Sequence, residues 1–125
     1  MNDYIDAFVF PIDKKHLKQY KEIAEQVAEI WKEYGALAYF EYIGDDLSLE
    51  ATRSFPHAIA STTDEEVIFG WVVFPSKKVR DKANKKVPLD ARMTKLVAPL
   101  FKENNKIFNA GRMVYGGFKP FINSQ

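Results

Sequence analysis

Val67-Ile68-Phe69-Gly70-Trp71-Val72-Val73-Phe74 is apolar along its whole length and is stopped by Pro75. Eight such residues, rich in β-branched and aromatic side chains and closed by proline, read as a β-strand. A strand in a sheet with one wet face alternates apolar and polar residues. This one does not alternate, so the sequence predicts a central strand covered on both faces.

Working outward toward the C-terminus, Ser76 is placed to cap a helix through Val79 and Ala83 to about Val87, and Pro88 and Asp90 break it. A second helical piece is predicted from Ala91 to Glu103. Asn104-Asn105 and Asn109-Ala110-Gly111 are turn chemistry. Arg112 to Phe121, containing Gly116-Gly117, reads as the last strand. Toward the N-terminus, residues 45–66 are polar, carry Pro56 and show no regular element. A stretch of about twenty such residues is long for a compact domain and points to function or mobility. Leu37 to Ile43 precedes it as a strand ended by Gly44-Asp45-Asp46. From Leu17 to Tyr34 the apolar residues Leu17, Tyr20, Ile23, Ala24, Val27, Ile30, Trp31 and Tyr34 recur every three or four positions, the period of an amphipathic helix. Gly35 suits its left-handed C-cap and Asp13 its N-cap. Tyr4 to Ile12 is the first strand.

The order β-α-β-β-α-β predicts an α+β fold, the ferredoxin-like arrangement, over residues 1–125 as a single domain. Its four-stranded antiparallel sheet has strand order 4-1-3-2, with both helices on one face. Pairing Ile5, Ala7 and Val9 with Ile68, Val72 and Phe74 on the helix side leaves Tyr4, Asp6, Phe8 and Phe10 opposite, with Phe69, Trp71 and Val73. Met113 and Tyr115 of the last strand are expected to join that second set. Such a face covers roughly 400 Å² from strand spacing and length alone, near the limit for an exposed apolar patch. A second subunit, a stacked nucleic acid or an apolar ligand is expected to cover it.

Composition narrows the classes. The 125 residues hold eighteen basic and seventeen acidic side chains, a net charge of +1, which gives no general attraction to nucleic acid or anionic membrane. With no cysteine, disulfides, thiolate metal sites and thiol nucleophiles are excluded. No signal peptide is evident at Met1-Asn2-Asp3-Tyr4 and no apolar run approaches the roughly 20 residues that span a bilayer. Cytoplasmic localisation is expected.

Several segments together resemble one family. They are Trp31 to Leu37 with Tyr39, Glu41 and Gly44-Asp45-Asp46, then Ser54-Phe55-Pro56 and Trp71 to Ser76. Arg80-Asp81 with Asn84, Asp90-Ala91-Arg92-Met93 and Arg112 to Phe118 complete the set. Their order along nearly the whole chain resembles the YbaA-like family of small bacterial proteins, a domain-of-unknown-function family within the dimeric α/β-barrel superfamily. Ala91 stands where the family's run has proline. The resemblance implies a homodimer with sheets face to face, and it implies no activity. Cofactor-free monooxygenases, haem-degrading enzymes and muconolactone isomerases share the superfamily, by fold alone.

Six residues compete for chemistry. Glu41 interrupts the apolar second strand and Asp6 sits among aromatics. A carboxylate inside a half-closed barrel has a raised pKa unless it meets a cation, here Arg53 or Arg112. A structural ion pair is the competing reading. His57, in the polar loop, could serve as a base or ligand, or simply bond nearby backbone. His16 has no second histidine at a metal-binding spacing. Phe8, Phe69, Trp71 and Tyr115 are expected to line the barrel interior, as a ligand pocket or as dimer packing. Gly116-Gly117 opens no helix and is no phosphate loop. An RNA-recognition sheet is the rival outline, because Phe8 and Phe69 to Phe74 fall near its stacking positions. Val67-Ile68 stands where that signature needs a basic residue and glycine, and the near-neutral charge opposes phosphate binding.

The sequence therefore predicts a homodimer that binds a small apolar or aromatic metabolite, without metal or cofactor. Glu41 and His57, with Asp6 in reserve, are the candidate catalytic residues. Trp71, Tyr115, Arg112, Phe69, Phe8 and Arg53 are the candidate pocket. Proton abstraction, cofactor-independent oxygenation or isomerisation is the chemistry in reach; the alternative is a non-catalytic structural or regulatory dimer.

Overall fold

Backbone pairing follows the apolar segments. In the computed structural model, which describes residues 3–102 and 106–125, β1 (Tyr4–Asp13) and β3 (Glu65–Phe74) pair antiparallel over ten residues, from Tyr4 opposite Phe74 to Asp13 opposite Glu65. β2 (Ala38–Ile43) lies on the other side of β3, and β4 (Val114–Phe118) on the other side of β1. The sheet order is β2-β3-β1-β4, the ferredoxin-like order that the sequence predicts.

Local chemistry sets the helices. The Asp13 carboxylate accepts the Lys15 N–H at 3.0 Å, capping a short 3₁₀ turn that leads into α1 (Leu17–Glu33). The chain leaves α1 through Gly35, whose φ of 111° lies in the left-handed region. Ser76 caps α3 (Lys77–Lys86) by accepting the Val79 N–H, and Asp90 caps α4 (Ala91–Val97) by accepting the Arg92 N–H. A 3₁₀ turn at Ala98–Phe101 ends this helical stretch. Glu103 and the turn expected at Asn104-Asn105 lie outside the described residues. The stretch read as irregular holds a short helix, α2 (Phe55–Ile59), capped by Ser54 with Pro56 in its first turn and closed by Ala60 at φ 53°. The last strand is shorter than expected, because residues 110–112 form a 3₁₀ turn. Among the described residues, no helix is long and apolar enough to cross a membrane.

The phase of β1 is the reverse of the sequence assignment. Directly paired residues share a sheet face, and Phe8 pairs with Gly70, Asp6 with Val72 and Phe10 with Ile68. Phe8, Phe10 and Ile12 belong to the core with Ile68, Val72 and Phe74, packed against Ile23 and Ile30 of α1 and Ala83 of α3. Ile5, Ala7 and Val9 therefore face the other way. Met113 packs against the same helix-side core, and Tyr115, opposite Phe8, shares that side. Alternation could not choose between the two phases, because both sets of β1 residues are largely apolar. Gly70 can. A Cβ there would lie 2.5 Å from Phe8 Cζ and 2.7 Å from the Phe40 carbonyl oxygen, so the Phe8 ring fills the space a side chain would need.

The face away from the helices carries Ile5, Ala7, Phe40, Tyr42, Phe69, Trp71, Val73, Val114 and Phe118. Trp71 stacks on Tyr42 at 5.3 Å between ring centroids. One end of the face is covered by the segment after β2, where Ile59 and Leu47 pack on Val9 and Val67. The rest is open, with Tyr42 60% and Phe118 56% exposed.

Gly70→Ala should destabilise the fold by about 1–3 kcal/mol through overpacking against Phe8 and backbone. Gly116→Ala, whose Cβ meets nothing nearer than Phe118 Cε1 at 3.6 Å, should be nearly neutral. Urea unfolding of the two variants checks the contrast, and equal effects would contradict this packing.

Candidate functional site

A cavity of about 310 Å³ lies between α1 and the helix side of the sheet. Val27 and Trp31 of α1, Phe8 and Val72 of the sheet, and Met93 and Phe108 supply apolar walls. Asp6, Tyr20, Tyr39 and Tyr115 bring the polar groups. They fall into two clusters with different electrostatics.

In the first cluster Asp6, only 3% exposed, accepts from Arg80 Nε at 2.8 Å and from Asn84 Nδ2 at 3.5 Å. Arg80 also donates to Asp81 at 3.0 Å and lies over the Tyr4 ring. Asn84 Nδ2 reaches the Tyr115 hydroxyl at 3.4 Å, while its Oδ1 is buried without a partner among the described residues. Partial burial, and then the neighbouring Asp6 carboxylate, push the Tyr115 phenol up to about 12. With an arginine on one oxygen and an amide on the other, Asp6 is a charge-paired anchor.

In the second cluster Glu41 Oε1 accepts the Tyr20 hydroxyl at 2.6 Å and Oε2 the Tyr39 hydroxyl at 2.7 Å. No cation among the described residues stands within 4.0 Å of it. Burial raises the Glu41 carboxyl above its usual range, against the opposing pull of the two hydroxyls. Burial first, and then the charge of Glu41, push both tyrosines well above the ordinary phenol value, so they stay neutral. Tyr20, Tyr39 and Ala24 also border a second space, a groove of about 470 Å³ between α1 and β2 that holds Glu41, Lys21, Glu25 and Tyr42. The two tyrosines are the partition between cavity and groove.

The interior that the sequence treats as one space is thus two regions on opposite sides of the sheet. Phe8 and Tyr115 line the cavity with Asp6, whereas Phe69 and Trp71 lie on the open face. That separation also removes the RNA-type stacking geometry, since the Phe8 ring does not share a face with Phe69 and Trp71. The cation that meets Asp6 is Arg80, 74 positions away, in place of Arg53 or Arg112. Arg112 instead binds Glu65 with both terminal nitrogens, at 2.6 and 3.0 Å, and donates to the Ala60 carbonyl at the end of α2. The hydrogen bonds from Arg112 hold the Glu65 carboxyl below its usual range. Arg53 and His57 are exposed around a shallow depression with Ser48 and Glu50, apart from the cavity and the groove. Among the described residues, no three His, Asp or Glu side chains cluster at metal-binding spacing. Sequence reasoning missed Tyr20, Tyr39, Arg80 and Asn84. Tyr39 and Glu41 stand two apart on one strand and so share a face, which was the available signal. Arg80 and Asn84 stand four apart on α3 and carried a weaker one.

Comparison with known proteins places these features. Residues 3–106 match the profile of a family described as a protein of unknown function, DUF1428. The chain is 40% identical over 121 residues to the uncharacterised protein YbaA of Escherichia coli K12, covering 95% of this chain and 97% of that one. The Shigella flexneri YbaA matches equally. Among solved structures, a mutant of SnoaB, described as a cofactor-independent oxygenase from Streptomyces nogalater, superposes with a TM-score of 0.61 at 8% identity. It covers 98% of this chain and 97% of its own. A nipsnap family protein of unknown function from Agrobacterium tumefaciens gives 0.56 at 14% identity, covering 95% and 88%. At these identities the structures show a shared fold alone, the four-stranded ferredoxin-like one.

The raised Glu41 carboxyl predicts a signed pH effect. A carboxyl with a higher pKa folded than unfolded takes up a proton on folding, so its contribution to stability falls as pH rises from about the unfolded value of 4.5 to the folded one. Glu41→Gln removes that contribution. The stability of the variant relative to wild type should rise across this window and be flat above it, measured by urea unfolding at stepped pH. A difference independent of pH would contradict the burial of this carboxylate.

Proposed function

We propose that this chain, which belongs to the DUF1428 family of proteins of unknown function, binds a small apolar or aromatic metabolite between α1 and the sheet, as a homodimer closed across the opposite sheet face. The cavity carries this reading. Its volume of about 310 Å³ falls at the lower end of the roughly 300–1,000 Å³ of small-molecule sites. Its walls are apolar side chains, and the polar groups stand at separate places where they can orient a ligand. Asp6 and Tyr115 offer an acceptor and a hydroxyl at one place, and the Tyr20 and Tyr39 rings form a wall at another.

The dimer reading rests on the apolar face around Trp71, which lies near the limit of what a soluble monomer ordinarily leaves in water. Likeness of fold to dimeric α/β-barrel proteins supports it. Taken alone, that face would serve equally in a non-catalytic dimer, and the cavity behind it is what favours a ligand.

Glu41 favours a second reading, turnover of the ligand by cofactor-independent isomerisation or oxygenation, the latter being the chemistry of SnoaB. A half-buried carboxylate that meets no cation among the described residues can serve as a proton acceptor. Its two tyrosine partners connect it with the cavity wall.

Two measurements test this function. Val27→Phe, which places a ring in the cavity, should abolish retention of small aromatic compounds seen by native mass spectrometry of protein taken from cells, while wild type keeps a bound mass; no bound mass in wild type, or retention in the variant, would end the cavity reading. Trp71→Glu should convert a dimer into a monomer in sedimentation at micromolar concentration, and a wild-type monomer would refute the closed sheet face.

A further inference from the structure

The groove on the far side of the tyrosine partition calls for an occupant of its own. Carboxylates taken out of water are normally met by a cation. Glu41 is met by two neutral hydroxyls, one on each oxygen. Each carboxylate oxygen accepts two hydrogen bonds, so each retains a lone pair. The charged neighbours lining the groove are Lys21 and Glu25, both exposed on α1, and neither lies within 4.0 Å of an opposite charge among the described residues. The remaining polar wall is aromatic, formed by Tyr20 and Tyr39.

We propose that the groove between α1 and β2 is a binding site for an organic ammonium ion, with the charge on the Glu41 carboxylate and the carbon substituents against the rings of Tyr20 and Tyr39. An ammonium supplies the absent counter-charge and the donors for the free lone pairs. The aromatic rings favour a cation clothed in carbon. A hard metal ion is disfavoured, since it needs six or more oxygen ligands and the groove holds few that converge. The space of about 470 Å³ admits an aryl or alkyl body of modest size. This site goes beyond the cavity reading and stands independently of it. A bound ammonium holds Glu41 ionised, so it opposes proton uptake by that carboxylate and makes the groove a place where a cation restrains the turnover reading.

Isothermal titration with benzylammonium, benzyltrimethylammonium and benzyl alcohol tests the assignment on the full chain. The two cations should bind at least about tenfold more tightly than the alcohol of similar shape. Glu41→Gln should remove that preference. Affinity for the quaternary ion, whose own charge does not change with pH, should fall as pH is lowered through the raised Glu41 range in wild type. Glu25→Gln should retain that fall, and Lys21→Met should leave cation affinity unchanged or higher. Val27→Phe, which fills only the inner cavity, should leave it within about twofold. Equal binding of alcohol and cations, a preference surviving Glu41→Gln, pH-independent binding of the quaternary ion or its loss in Val27→Phe would each overturn the groove site. The last result would move the amine into the inner cavity. Failure of aromatic retention in wild type, by contrast, strikes only the cavity reading.

Discussion

Phe8 lying on the bare backbone of Gly70 sets the phase of the whole sheet. A side chain at position 70 would occupy the volume of that ring and meet the Phe40 carbonyl, so the ten-residue pairing of β1 with β3 is held in one register with Phe8 toward the helices. A slip by one residue exchanges every side chain between faces. Here it would turn Asp6 away from Arg80 and bring Ile5 and Ala7 into the helix-side core. The cavity, the buried ion pair and the open aromatic face all depend on that one contact.

With the phase fixed, the two internal carboxylates acquire different characters from their surroundings. Asp6 is nearly fully buried but meets Arg80, Asn84 and the Tyr115 hydroxyl region. Removing a partner from such a pair leaves a charge stranded in the interior, which costs about 3–5 kcal/mol. It is therefore a structural strut across β1, α3 and β4. Glu41 meets no cation among the described residues, and neutral hydroxyls only partly offset the loss of water. The same functional group thus yields an anchor in one place and an uncompensated charge in the other. Proton transfer and cation binding both draw on the second, and they compete because each neutralises the same carboxylate.

Much of the architecture was legible because local signals agreed. The three-four spacing from Leu17 to Tyr34, Gly35 at a left-handed cap and the apolar block before Pro75 all point to one element order, and the strand order follows from it. The phase of β1 was not legible, since Tyr4 to Pro11 offers an apolar set on either face and alternation cannot decide between two acceptable halves. Gly70 held the answer, but only once its partner strand was known. α2 was hidden because five residues are too few for a periodic pattern, although Ser54 followed by Pro56 is a helix-start signature. In the candidate site, Glu41 and Asp6 stood out as charges within apolar strands. Arg80 did not, because Lys77, Lys78, Arg80, Asp81 and Lys82 form a run that reads as a solvated helix face, and only the fold brings one of them inside. His57 and Arg53 drew attention by residue type, and the chain leaves both in water.

The tyrosine partition links these observations. Tyr20 comes from the buried stripe of α1 and Tyr39 from the helix side of β2, so packing alone would hold their rings where they are. Their hydroxyls nevertheless converge on a single carboxylate, which charges the partition without giving it a cation. An apolar wall would separate cavity from groove more cheaply, because a hydrophobic replacement for a buried charge is often neutral or stabilising. The arrangement therefore carries a cost in stability that packing does not require, and a cost of that kind is expected where a chain meets a ligand. Glu41, singled out as a polar residue in an apolar strand, earns its place by facing the groove and holding the wall of the cavity at once.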